Sequence, residues 1–219
     1  MKIISFSLWG DKPMYVVGAI ENVRLAQEIY PDWKCRFYAD DTVPSDTLKQ
    51  LNQMGQEIRM VNDGSYGMFW RFLAVDDPDV DVMISRDCDS RLNYREQVAV
   101  EEWLKSDKCF HIMHDHPYHK CVPILGGMWG ARRGCITNMS QKIEHWKRHH
   151  QKGVDQEFLQ RDIWPNIQGK YLRHDSVGAI KWGGSSVFPP HSPLKFGGTY
   201  VGQVFDENNQ NICPAPGVI

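Results

Sequence analysis

A chain of 219 residues with 42% hydrophobic and 24% charged side chains can bury one sizeable core and is too ordinary in composition for a disordered or fibrous protein. Its formal net charge of -2 and pI near 6.5 leave no cationic excess to neutralise a phosphate backbone, which argues against nucleic acid as a bulk partner but not against a single nucleotide. No apolar run reaches the roughly 18 residues that span a bilayer, and the opening segment lacks a signal-peptide pattern, so the expectation is a soluble, cytoplasmic protein without a membrane segment.

Lys2 to Leu8 alternates and is rich in Ile and Phe, as in a buried strand, and stops at Trp9-Gly10-Asp11-Lys12-Pro13. Val16, Ile20, Val23, Ala26 and Tyr30 then recur at steps of three and four, which predicts a helix ended by Pro31. Trp33 to Ala39 reads as a second strand. Ser45 is placed to cap a short helix carrying Leu48 and Leu51, closed by Gly55, and Glu57 to Val61 reads as a third strand. This alternation of strands and helices is the mark of a parallel sheet with covering helices.

Phe69, Phe72 and Leu73 predict a further helix, and Asp81 to Ser85 a fourth strand running into Arg86-Asp87-Cys88-Asp89-Ser90. Asn93 with Glu96 three residues on forms a capping box for a helix through Leu104. A strand over Cys109 to Met113, a glycine-flanked strand at Gly126-Gly127-Met128-Trp129-Gly130, a helix carrying Met139, Ile143 and Trp146, a short helix from Gln156 to Ile163 and a strand at Tyr171 to Arg173 follow. The tail is rich in Gly and Pro. Cys35, Cys88, Cys109, Cys121, Cys135 and Cys213 show no C-x-x-C pair, which predicts reduced thiols.

Chemistry concentrates at the end of the fourth strand. In extended backbone, residues i and i+2 project to one side, so the carboxylates of Asp87 and Asp89 converge. Hard divalent cations take oxygen ligands and are commonly held by one or two carboxylates together with substrate phosphates. Ligands of open α/β sheets also bind beyond the carboxyl ends of strands, where this pair lies. His111, His114, His116 and His119 with Asp115 and Cys121 are dense in potential ligands, but their spacing fits no zinc motif.

The D-x-D segment, with the order of elements around it, resembles the glycosyltransferases of the A-type (GT-A) fold, including small transferases encoded by large DNA viruses of algae. The resemblance covers nearly the whole chain and implies a single α/β domain over 1–219: a mostly parallel central sheet flanked by helices, with a smaller mixed C-terminal portion. Residues 1–90 would form the nucleotide-binding half and 91–219 the half that meets sugar and acceptor. It implies transfer of a sugar from a nucleotide-diphosphate donor, with UDP as the expected nucleotide, to a glycan or glycoprotein.

By the same resemblance Asp87 and Asp89 hold Mn²⁺ or Mg²⁺, with a late histidine as third ligand: His174, followed by Asp175, or His191. Ser7, Leu8, Trp9 and Gly10 contact the donor with Asp40, Cys88 and Gly127, and Trp9 either stacks on the base or belongs to the core. Arg71 and Arg86 meet phosphate or pair with an aspartate, or else form ordinary salt bridges. Asp155 and Gln156 resemble a D-Q pair beside the anomeric carbon, Asp155 otherwise serving as a helix N-cap. Asp115 is a second candidate for proton transfer, and His114 for a sugar contact.

Two other readings compete. A sugar nucleotidyltransferase would want a glycine-rich loop with Arg and Lys after the first strand, which Ser7-Leu8-Trp9-Gly10-Asp11-Lys12 lacks. A non-catalytic carbohydrate-binding protein would use its aromatics, but eight Trp and eight Tyr are scattered as in a core.

Overall fold

Strand β1 (Lys2–Leu8) is third in a seven-stranded sheet, with β2 (Lys34–Ala39) and β3 (Glu57–Met60) stepping away on one side. β4 (Val82–Arg86) lies on the other side, followed outward by β6 (Trp129–Arg132), β5 (Phe110–His114) and β7 (Tyr171–Asp175). All pairings are parallel except those of β6, which runs against both neighbours. The computed structural model describes residues 1–178, 182–188 and 200–212.

Side-chain alternation divides the core into two layers. Ile4, Phe6 and Leu8 of β1 and Ile84 of β4 face α1 (Pro13–Ile29) and α3 (Tyr94–Lys105), where Val23, Ala26 and Trp103 close the layer. Ile3 and Met83 face the opposite layer, built from the 3-10 segment Gly67–Asp76, α4 (Met139–Glu144) and α5 (Val154–Phe158). α2 (Ser45–Gln53) leads into β3. The capping box is present: the Asn93 side chain accepts from Glu96 N–H at 3.0 Å while Glu96 accepts from Asn93 N–H at 3.1 Å.

Several local expectations are corrected. Helix α2 has Pro44 at its N-cap and Ser45 inside it, with no side-chain cap. The Phe69 segment is 3-10 rather than α-helical, and the helix after Gly153 passes into a π turn at Leu159–Ile163. The cysteines are not all reduced: Cys109 and Cys135 form a disulfide, whose Cα atoms lie 5.8 Å apart, leaving Cys35, Cys88 and Cys121 free among the described residues. Cys109 precedes β5 and Cys135 follows β6, so antiparallel pairing brings together thiols that a spacing of 26 residues does not connect in sequence. Cys213 lies outside the described residues. Among the described residues no helix is long and apolar enough to cross a membrane.

Candidate active site at the β1–β4 switch point

The chain leaves β1 in one direction through β2 and β3, then returns to place β4 on its other flank. This reversal makes a topological switch point at the carboxyl ends of β1 and β4, the position where doubly wound sheets take ligands in a crevice. Asp87, Cys88 and Asp89 follow β4 directly at this edge.

Arg71 is the hub. Ser5 Oγ donates to its carbonyl at 2.6 Å and Ser7 Oγ accepts from its N–H at 2.8 Å, pinning the 3-10 segment to β1. Its guanidinium then reaches Asp87 Oδ1 at 2.9 Å, Asp155 Oδ2 at 2.6 Å and the Gly126 carbonyl at 3.2 Å. Burial alone would lower the Arg71 pKa, but the charges of Asp87, Asp155 and Asp89 outweigh it and the net shift is upward.

Two glycines permit this convergence. A Cβ on Gly126 would lie 2.2 Å from Asp155 Oδ2, and one on Gly127 1.9 Å from Asp87 Oδ2. Any side chain there would expel a carboxylate from the crevice.

The acidic residues carry more charge than their partners balance. Burial, and then the charge of Asp87, push Asp89 up to about 7. Asp155 is also raised by burial, an effect that Arg71 only partly offsets and Asp87 reinforces. Its Oδ1 is buried and has no hydrogen-bond partner among the described residues. Asp155 is not a helix N-cap: Gly153 holds that position, and Asp155 sits inside the first turn with its carboxylate turned to Arg71. Gln156 follows it, half-buried.

The D-x-D backbone is fixed from three sides by groups that the sequence reading did not single out. Asn22 of α1 donates to Ser90 O at 2.9 Å and accepts from Leu92 N–H at 3.0 Å. One turn earlier, Gly18 lets the helix touch the loop, since a Cβ there would lie 2.0 Å from Cys88 O. Arg91 donates to Cys88 O and Ser90 O on one side and to Asp206 O and Asn209 Oδ1 on the other. Phe205 N–H, on the same C-terminal segment, donates to Asp89 O at 2.8 Å. A glycine and a buried amide at i and i+4 on the inner face of an amphipathic helix were the available signal.

Other expected residues have different partners. Leu8 lies in the core, so its side chain does not face the crevice. Cys88 is buried and donates its thiol to Ser7 O, tying β4 to β1. Its pKa is pushed far up by burial and by Asp89 and Asp87. Trp9 covers Gly67, whose Cβ would lie 2.5 Å from the indole, and packs against Tyr66 and Trp70, so one ring face is occupied. Asp40 accepts from the Thr42 hydroxyl, which in turn accepts from Gly10 N–H at 2.7 Å, so Asp40 braces the loop after β1.

Four assignments are corrected. Arg86 points to the opposite layer and donates to Glu96 at 2.5 Å. His114 is buried at the end of β5 with Nε2 on the Val122 carbonyl, and burial lowers it to about 4. Asp115 accepts two bonds from Arg95, one from Ser176 Oγ and one from Val201 N–H, leaving its carboxylate committed to joining α3 to the C-terminal segment. His174 lies on β7, three strand spacings or about 14 Å from β4, beyond the reach of any ion held by Asp87 and Asp89. Its Nδ1 meets His111 Nε2 at 2.8 Å instead. His191 lies outside the described residues. Among the described residues no cluster of three His, Cys, Asp or Glu could alone cage a metal.

No protein-family model and no curated protein matches the chain. Among solved structures, it is similar to the mannosyltransferase PcManGT from Pyrobaculum calidifontis in complex with GDP-Man and Mn²⁺, at 10% identity and a TM-score of 0.51 over 80% of this chain and 55% of that one. It is also similar to the galactosyltransferase LgtC in complex with donor and acceptor sugar analogues (15% identity, TM-score 0.47, 80% and 74% of the chains). A third likeness is to 4-diphosphocytidyl-2C-methyl-D-erythritol synthase from Anaerococcus prevotii (12%, 0.45, 80% and 89%). The chain thus spans just over half the length of the mannosyltransferase it matches. The likeness to the mannosyltransferase exceeds a TM-score of 0.5, and it is one of fold: the chain is a single α/β domain with a GT-A-like, mostly parallel seven-stranded sheet flanked by helices.

Proposed function

We propose that the chain is a divalent-metal-dependent glycosyltransferase that takes a sugar from a nucleotide-diphosphate donor, UDP being the expected nucleotide, and passes it to a glycan or glycoprotein acceptor. One observation carries the reading: Asp87 and Asp89 at the β1–β4 switch point, with Asp87 joined to Asp155 through the single guanidinium of Arg71.

The donor set fits Mn²⁺ or Mg²⁺. Two carboxylates side by side, one of them raised to about 7 by burial and its neighbour, leave negative charge that a divalent cation would balance. Such ions are commonly held by one or two carboxylates plus substrate phosphates, so a full protein cage is not required. When bound, the ion would neutralise the charge that develops on the departing diphosphate.

The remaining roles belong to the protein. Arg71 keeps Asp87 and Asp155 at fixed separation and supplies positive charge where a phosphate oxygen would approach. Asp155 has its Oδ1 buried and unpartnered among the described residues, and in this reading that oxygen turns to a sugar hydroxyl or to the anomeric centre when the donor binds, with Gln156 beside it. Ser7 and Cys88 set the spacing of the two strand ends, and Gly10, Trp9 and Asp40 frame the side where a base would lie. In this reading residues 1–90 bring the nucleotide side, while Gly126, Gly127 and Asp155 come from 91–219.

The test is calorimetry of UDP-sugars with and without Mn²⁺, paired with release of free UDP from the donor. Metal-dependent binding with slow donor hydrolysis is expected. Binding without hydrolysis would indicate a lectin, and release of pyrophosphate from a nucleoside triphosphate a nucleotidyltransferase.

A further inference from the structure

Although the whole chain is slightly acidic, residues 142–152 contain four lysines or arginines and three histidines against one carboxylate. That carboxylate, Glu144, is paired with Lys147 at 2.9 Å, and the nearby Asp162 accepts from Trp146 Nε1 at 2.7 Å. Lys142, Arg148, Lys152 and the adjacent Lys170 have no ion-pair partner among the described residues. Arg148 and Lys152 are exposed.

This basic strip is continuous with the crevice. His150 stacks on Tyr66 with ring centroids 5.5 Å apart, and Tyr66 packs on Trp9 at 5.8 Å. Two residues after Lys152 the chain enters α5, which carries Asp155. Along α4, a cavity of about 540 Å³ is lined by Lys142, His145 and Lys170 together with the amides of Asn138 and Gln141 and one carboxylate, Asp162, which already accepts from Trp146. That volume falls in the range of small-ligand sites, and cations with amides are the groups that recognise acidic sugars.

From this arrangement we infer that the flank formed by residues 142–152 and Lys170 binds an acceptor glycan bearing acidic groups, a reading that rests on the glycosyltransferase assignment. The charges are polarised. The crevice gathers Asp87, Asp89 and Asp155 around the shared Arg71, where the metal and the donor diphosphate would sit, whereas the flank carries cations without carboxylate partners among the described residues. An acidic chain is therefore drawn along α4 with its acid groups outside and the hydroxyl to be glycosylated directed past Tyr66. Long-range attraction of this kind selects charge and orientation more than it adds affinity.

The test compares hexagalacturonate with neutral maltohexaose by calorimetry at about 50 mM salt, where screening is modest, on the wild type and on two double variants, Arg148→Ala with Lys152→Ala and Lys142→Ala with Lys170→Ala. Hexagalacturonate is expected to bind about tenfold more tightly than maltohexaose, and each double variant to lose about fivefold or more of that affinity while UDP binding in Mn²⁺ stays unchanged. Equal affinity for the two sugars, or indifference to both double variants, would overturn the inference. So would tighter binding of a DNA duplex or of phosphatidylglycerol vesicles, which would make the strip a polyanion or membrane surface. Hexagalacturonate binding without UDP binding would defeat the transferase reading and leave an acidic-glycan site standing. UDP binding without it would defeat the site alone.

Discussion

Arg71 and Asp155 meet at 2.6 Å in the interior, both side chains nearly inaccessible, and the same guanidinium extends to the more exposed Asp87 at 2.9 Å. Removing one partner of a buried pair strands the other charge, at a cost of about 3–5 kcal/mol. Arg71→Met should therefore lower stability by about that amount and abolish donor binding. Asp155→Asn keeps a hydrogen-bond acceptor and should destabilise by only about 1–3 kcal/mol, while reducing turnover by about a hundredfold or more. Thermal denaturation and turnover measured on one preparation decide both. Full activity in Asp155→Asn would confine the residue to structure.

Asp87→Asn and Asp89→Asn are expected to leave the fold intact and remove metal-dependent donor binding, because each takes a charged oxygen from the crevice. Calorimetry with Mn²⁺ and UDP-sugar reads the effect. Unchanged affinity in both variants would refute the metal assignment.

Gly127→Ala is a sharper probe, since it alters no charge. The new methyl would occupy the space 1.9 Å from Asp87 Oδ2, so Asp87 must turn away. Mn²⁺ affinity should fall about tenfold or more, with circular dichroism unaltered; wild-type affinity would show that the loop yields instead.

Acid should weaken the fold through buried histidines. His114 titrates near 4 in the native state, pushed down by burial, against an ordinary value of 6.5. The unfolded chain thus takes up the proton first, so the stability tied to neutral His114 is complete above about pH 6.5 and drains away as pH falls towards 4, by of order 3 kcal/mol. His119, lowered to about 3 by burial, His114 and His116, acts in the same direction. Denaturant midpoints at pH 7 and pH 5 should differ, and His114→Gln, which can still donate to Val122 O, should flatten the difference.

The disulfide closes the β5–β6 pair at the edge of the sheet opposite the D-x-D motif. Cys109→Ser with Cys135→Ser should lower stability by about 3 kcal/mol and leave UDP binding unchanged at temperatures where the variant is folded. A melting temperature insensitive to reductant would show that the cross-link contributes nothing.

Much of the central architecture is legible in the chain. β1 announces itself by alternation and breakers, Asn93 and Glu96 by their spacing, and Asp87 and Asp89 by standing where a strand stops. Arg86 was also readable: adjacent residues in extended backbone face opposite sides, so it could not share a face with Asp87. The position of His174 was not, because β6 reverses and inserts between β4 and β5, and no local pattern states that order. The disulfide was hidden for the same reason. Arg91 gave no signal either, since its partners, Asp206 and Asn209, are more than a hundred residues away.

The bond from Phe205 N–H to Asp89 O, with Arg91 gripping both strands of that junction, has a consequence for biogenesis. The D-x-D turn lacks one of its three supports until the segment containing residue 205 has been synthesised and docked. Shortening the protein from its C-terminal side past that point should silence the site while sparing most of the sheet, because a support of Asp89 arrives over a hundred residues after the motif it holds.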